Sequence, residues 1–148
     1  MHDVPRQLTE AELAELFEGR TRLVEELAKR DDPLGEARDV IAQLSEEEKL
    51  EALNAHPAIG AKRLSAHSAA EQGGDADPVV LTELAYLNQV YEEKFGFRFV
   101  VFVNRRSKAE ILEVLRERLE RSHEEELEAA LEELVAIARD RWQRGYRL

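Results

Sequence analysis

Lys94-Phe95-Gly96-Phe97-Arg98-Phe99-Val100-Val101-Phe102-Val103 is the stretch whose reading decides the fold. Aromatic and β-branched residues dominate it, and by propensity alone it is a strand. A strand needs a partner for its peptide groups, and no second stretch of the chain has comparable character. The segment therefore reads as a buried extended piece threaded between helices, with Phe95, Phe97 and Phe102 in the core. Extended backbone also presents donors and acceptors, so Phe99 and Val100 stand open to either the core or a ligand.

Outward from this stretch the sequence has a helical rhythm of Leu, Ala, Glu and Arg. Thr9-x-x-Glu12, Ser45-x-x-Glu48 and Ser107-x-x-Glu110 are capping-box signatures that open helices. Leu13, Leu16 and Phe17 form the first apolar stripe, ended or bent at Gly19, and Leu23, Val24 and Leu27 continue to a stop at Asp31-Asp32-Pro33. A helix is expected over Leu34 to Leu44, with Val40, Ile41 and Leu44 inward. Gly73-Gly74-Asp75-Ala76-Asp77-Pro78 is the strongest loop signal. Beyond it, Val79 to Glu93 reads as a helix with Leu81, Leu84, Leu87 and Val90 at core spacing. Ile111, Leu112, Leu115 and Leu119 mark another. After a break near Arg121-Ser122, a last long helix carries Leu127, Leu131, Leu134, Val135 and Ile137 on to Trp142. These elements describe an all-α, single-domain bundle over residues 1–148.

The rhythm breaks at Ala55–Gln72, AHPAIGAKRLSAHSAAEQ. Pro57 lacks an N–H and pushes His56 out of helical geometry, which places that histidine at a stiff break between elements. Ser68, Glu71 and Gln72 share a helix face at i, i+3 and i+4. The group offers an imidazole, a carboxylate, a carboxamide and a hydroxyl. Each piece also has a plain structural reading: Ser68-x-x-Glu71 as a capping box, and His56 as a hydrogen-bonded loop histidine. Arg141, four residues beyond Ile137, lies at the edge of an inward face. It either snorkels to water or supplies a fixed charge to a cleft.

Composition narrows the function. The 148 residues suit one domain with a real core. A net charge of −11 disfavours nucleic-acid phosphate and anionic membranes as partners. The chain has no cysteine, which excludes disulfides, thiolate metal sites and cysteine nucleophiles. Its four histidines fall in no ligand spacing. No apolar run approaches the ~20 residues of a membrane span, and the N-terminal residues lack a signal-peptide pattern. A cytoplasmic protein is expected.

Taken together, several stretches resemble the 2-oxo-4-hydroxy-4-carboxy-5-ureidoimidazoline (OHCU) decarboxylase family of urate breakdown. They are Ala55-His56-Pro57 with Gly60, Ser68-x-x-Glu71-Gln72, Tyr91, and Lys94-Phe95-Gly96-Phe97-x-Phe99-Val100. Ile111-Leu112, Arg118-Leu119, Glu126 and Ile137-x-x-x-Arg141 follow in order and spacing. The resemblance spans residues 40 to 142. Earlier in the chain, Phe17-Glu18-Gly19-Arg20-Thr21-Arg22 stands where the family carries an aromatic, Ser-Pro-Trp-like segment.

The resemblance implies about eight helices, no cofactor or metal, a homodimer, and a carboxy-lyase that converts OHCU to (S)-allantoin. It implies His56 as general acid/base and Glu71 as its partner. It assigns Pro57, Ser68, Gln72, Arg141 and the backbone of Phe99 and Val100 to substrate. The alternatives are a non-catalytic acidic helical interaction module, and the same fold acting on another ureido or imidazoline acid.

Overall fold

Residues 8–56 and 77–144 are described by the computed structural model. Among them lie seven helices and no strand: α1 (Glu10–Phe17), α2 (Arg22–Leu27), α3 (Ala37–Gln43), α4 (Glu46–Asn54), α5 (Pro78–Phe95), α6 (Lys108–Arg118) and α7 (His123–Gln143). Each of the three expected capping boxes opens a helix. At α1 the Glu12 amide donates to Thr9 Oγ1 (3.1 Å) and the Thr9 amide to Glu12 Oε1 (3.0 Å). The same reciprocal pairs begin α4 at Ser45 and α6 at Ser107. A fourth box, Ser122 with Glu125, begins α7. Asp77 caps α5, with Pro78 in its first turn, where the missing N–H costs nothing.

The longest helix, α7, packs against α1, α3 and α4; α2 joins these same three from another side, and α5 lies along α6. The buried residues of all seven helices form one cluster. Some expectations require correction. The inward line of α5 is Leu84, Asn88, Tyr91 and Phe95, whereas Leu81 is 39% exposed and Leu87 and Val90 are half-buried. Residues three apart drift by about 60° per step around a 3.6-residue helix, so Leu81, Leu84, Leu87 and Val90 cannot share one face. Leu119 and Leu127 are likewise only half-buried, while the neighbouring Arg118 and Glu126 are buried.

The helix expected from Leu34 starts at Ala37. Residues 32–36 form a tight turn instead, with the Glu36 amide bonded to the Asp32 carbonyl (2.9 Å). The Asp32 carboxylate folds over Gly35 and accepts from its amide (3.3 Å); a Cβ there would lie 2.1 Å from Asp32 Oδ2 and push that side chain aside.

Beyond the exposed, left-handed Gly96, residues 97–103 run as an extended and largely buried piece, as expected, with no strand beside it among the described residues. Phe97, Phe99, Val100, Val101 and Val103 are buried, whereas Phe102, expected in the core, is half-buried. Side chains from three helices answer its peptide groups. The Arg98 amide donates to Asn54 Oδ1 of α4 (2.9 Å), the Phe102 amide to Glu133 Oε1 of α7 (3.2 Å), and Arg118 Nη1 of α6 to the Val100 carbonyl (2.8 Å). Arg106 folds back to donate to the carbonyls of Phe102 (2.6 Å) and Val103 (3.2 Å).

The rings of Phe95, Phe97 and Phe99 surround Tyr91, with centroids 4.6, 5.8 and 5.2 Å away. Tyr91 donates its hydroxyl to Glu126 Oε1 (2.6 Å), and the same oxygen accepts from Arg118 Nε. The Arg118 guanidinium also lies over the Phe99 ring, 4.7 Å from its centroid. Burial, and then the bond to Glu126, push the Tyr91 phenol well above its usual range, so it stays protonated as a donor.

Arg118 therefore joins a buried carboxylate, a carbonyl and a ring. Arg118→Met removes the charge from this network and leaves Glu126 buried without its cation. A loss of about 3–5 kcal/mol in urea unfolding is expected, as for other broken buried pairs. An unchanged denaturation midpoint would show that the network contributes nothing to stability.

Candidate active site

Helix α4 ends in a non-helical histidine. Ala55 keeps helical dihedrals as the cap, and the His56 amide reaches back to the Leu53 carbonyl (3.2 Å) in a tightened last turn. Pro57 comes next and cannot continue the ladder. The His56 carbonyl accepts from Arg98 Nη1 (2.7 Å), while the Arg98 amide is held by Asn54. Two bonds donated by Arg98 thus tie the extended segment to the break that carries the histidine. The imidazole is only 8% exposed, and its Nδ1 has no hydrogen-bond partner among the described residues.

Arg141 approaches the same region from α7. Its side chain is wholly buried and does not snorkel. Nη1 donates to the Leu16 carbonyl (3.0 Å), and Nη2 pairs with Glu18 Oε1 (3.0 Å). Leu16 belongs to the last turn of α1, and Glu18 is the residue that ends that helix. Just beyond, a Cβ on Gly19 would lie 3.5 Å from Ala55 Cβ, so the end of α1 passes against the residue preceding His56.

These neighbours set the protonation of His56. Burial lowers its pKa most, the Arg141 guanidinium lowers it further, the Glu18 carboxylate opposes them, and Arg98 adds to the depression; the result is about 4. His56 is therefore neutral at physiological pH and available as a proton acceptor.

The expected site residues fall into three groups. His56 and Arg141 are brought into one electrostatic cluster. Phe99 and Val100 bury their side chains beside Tyr91 and Arg118, and the Val100 carbonyl is engaged by Arg118. Pro57, Ser68, Glu71 and Gln72 lie outside the described residues. Sequence reading missed Glu18 and Arg98. Glu18 did carry a signal, since an acidic residue at a helix C-terminus opposes the macrodipole. Arg98 carried none, as an arginine in an apolar run gives no indication of which carbonyl it will meet. Among the described residues, no group of three or more His, Asp or Glu side chains is arranged to hold a metal ion.

Residues 2–143 match the family model described as OHCU decarboxylase. The chain belongs to the OHCU decarboxylase family. The match takes in the N-terminal forty residues that the motifs alone left outside. A crystal structure of an OHCU decarboxylase in the presence of (S)-allantoin superposes with a TM-score of 0.75 at 28% identity, covering 88% of this chain and 94% of that one.

A uric acid degradation bifunctional protein of Bacillus sp. (strain TB-90) is 34% identical over 114 residues, which are 74% of this chain and 23% of the relative. The 2-oxo-4-hydroxy-4-carboxy-5-ureidoimidazoline decarboxylase of Halalkalicoccus jeotgali is 29% identical over 105 residues, 68% of this chain and 60% of that protein. The chain thus spans less than two thirds of either relative. In this OHCU decarboxylase-family fold, Glu18 comes from the N-terminal forty residues and faces Arg141.

The depressed pKa has a measurable consequence. Between about pH 6.5 and 4 the unfolded chain binds a proton at His56 that the folded chain refuses. Stability should therefore fall as pH is lowered through that window, by roughly 3 kcal/mol at most. NMR titration of the His56 ring should give a midpoint near 4, and His56→Asn should remove this part of the pH dependence. A midpoint near 6.5 would mean that the buried cluster does not form in solution.

Proposed function

We propose that this chain catalyses the cofactor-independent decarboxylation of OHCU to (S)-allantoin, as a cytoplasmic homodimer in urate breakdown. The observation that carries this reading is the buried, neutral His56 clustered with the buried guanidinium of Arg141, in a chain of the OHCU decarboxylase family. A helical interaction module has no use for such a pair, since a buried cation and an imidazole whose Nδ1 has no partner among the described residues both cost stability.

The substrate's name fixes what the site must do. C4 carries both the carboxylate and a hydroxyl, and it adjoins a C=N bond. Arg141 binds the substrate carboxylate or another polar oxygen through a charge-assisted pair. When the C4–carboxylate bond breaks, carbon dioxide leaves and the electron pair passes through C4=C5 onto the ring nitrogen, which takes a proton from water. The product of that step is an enol at C4. His56, neutral beforehand, accepts the enol proton as the carbonyl forms and returns it to one face of C5, fixing the stereochemistry.

On the family resemblance, Glu71 orients His56 or accepts substrate N–H groups. Ser68 and Gln72 pair with the ureido and ring amides, Pro57 lies against the ring, and backbone groups of Phe99 and Val100 hold it. The substrate carries its own electron sink, so the reaction needs no metal.

Adding the protein to freshly generated OHCU and following the circular dichroism of allantoin tests the reading. Rapid growth of the (S)-allantoin signal is expected, and a rate no faster than the spontaneous reaction would overturn it. His56→Asn should slow turnover by 10²–10⁴-fold while keeping the helical spectrum. Near wild-type turnover in that folded variant would remove His56 from the mechanism. Dialysis against a chelator should leave the wild-type rate unchanged, and a loss restored by one particular ion would replace the metal-free scheme.

A further inference from the structure

Glu18 violates two local preferences at once. It adopts a left-handed backbone conformation (φ 69°, ψ 20°) at the end of α1, a position where glycine is favoured because it has no Cβ to crowd the carbonyl. Here Gly19 stands one residue too late to serve. Glu18 also sets a negative charge on the negative end of a helix. A residue that satisfies neither rule is held in place by something else, and its side chain shows what that is. The carboxylate is 9% exposed and sits 3.0 Å from Nη2 of the fully buried Arg141. The same turn supplies the Leu16 carbonyl to Nη1. One end of α1 therefore grips the guanidinium twice, once with backbone and once with side chain.

We propose that Glu18 is a positioning residue of the active site: its carboxylate fixes the orientation in which Arg141 meets the substrate anion and balances the positive charge around His56. The proposal rests on the decarboxylase reading for its kinetic consequence, but not for its electrostatic one. Among the described residues, three charged groups act on His56: Arg141 from α7, Arg98 from the extended segment, and Glu18 from the end of α1. Without Glu18, two guanidiniums would face the imidazole with no anion among the described residues to offset them. The left-handed turn brings the carboxylate inward, which a glycine at that position could not do.

Glu18→Gln keeps shape and removes charge. Its kcat/KM on OHCU should fall by about 10–100-fold, the scale of a small misplacement of a binding group. The His56 NMR midpoint should move to lower pH, because a carboxylate that favours the imidazolium is gone. A purely structural role would lower thermal stability and leave that midpoint in place. Wild-type kcat/KM together with an unshifted midpoint in folded Glu18→Gln would overturn the proposal.

Glu18→Asp tests the case in which the glutamine variant does not fold. It keeps the charge but shortens the reach, so KM should rise while the His56 midpoint stays near that of the wild type. An unchanged KM in this variant would equally overturn the proposal. The midpoint needs no substrate. If the wild type does not turn over OHCU, the decarboxylase reading fails, and the Glu18 arrangement is still decided by titration.

Discussion

A lone extended segment inside a helical protein leaves its peptide groups without the ladder that a sheet would provide. Buried amides without partners are costly, and each must be met by something. Here Asn54, Arg118 and Glu133 reach in from α4, α6 and α7, and Arg106 folds back from the segment's own end. The relative placement of those three helices is therefore bound to the path of residues 96–103. The histidine depends on the same bonds. The Asn54 side chain accepts from the Arg98 amide, and the Arg98 guanidinium in turn holds the carbonyl of His56. An apolar stretch that looks like simple core is thus also the frame on which the buried histidine is mounted.

The charges divide into two populations. Most glutamates cap helices or pair on the surface, where single ion pairs contribute little. Among the described residues, two carboxylates are drawn inward to meet a buried arginine: Glu126 with Arg118, and Glu18 with Arg141. The first pair is closed by Tyr91 and Val100 and reads as framework. The second lies where α1, α4 and α7 come together, next to the histidine. The difference is in their neighbours, because the guanidinium–carboxylate chemistry is the same.

Helix starts were legible because they are written locally: Thr9, Ser45 and Ser107 each stand three residues before a glutamate, and each opens a helix. The extended segment was legible from its aromatic and β-branched composition together with the lack of any partner. Core faces were read less well where apolar residues recurred every third position. Leu81 and Leu87 look like one stripe in the sequence, but 3.6 residues per turn carries them apart, and a buried Asn88 takes the place between Leu84 and Tyr91. Of the site, His56 showed itself by the proline after it, and Arg141 by its spacing from Ile137. The partners of Glu18 and Arg98 were hidden because they lie 123 and 42 residues away, and contacts at that range leave no local pattern; only the misplaced charge of Glu18 at a helix end was visible locally.

The acidic exterior and the buried arginines also bear on how a ligand arrives. A chain with a net charge of −11 repels an anion at long range, and it attracts one at the depth where Arg141 sits. Approach and retention are then governed by opposite fields. Added salt screens the outer field over about 8–10 Å at ordinary ionic strength, yet hardly reaches charges enclosed by protein. For an anionic ligand, a saltier solution should hasten entry without loosening the grip inside. This protein's on-rate would then rise with ionic strength, the reverse of the usual behaviour of a binder that steers its anion with a basic surface.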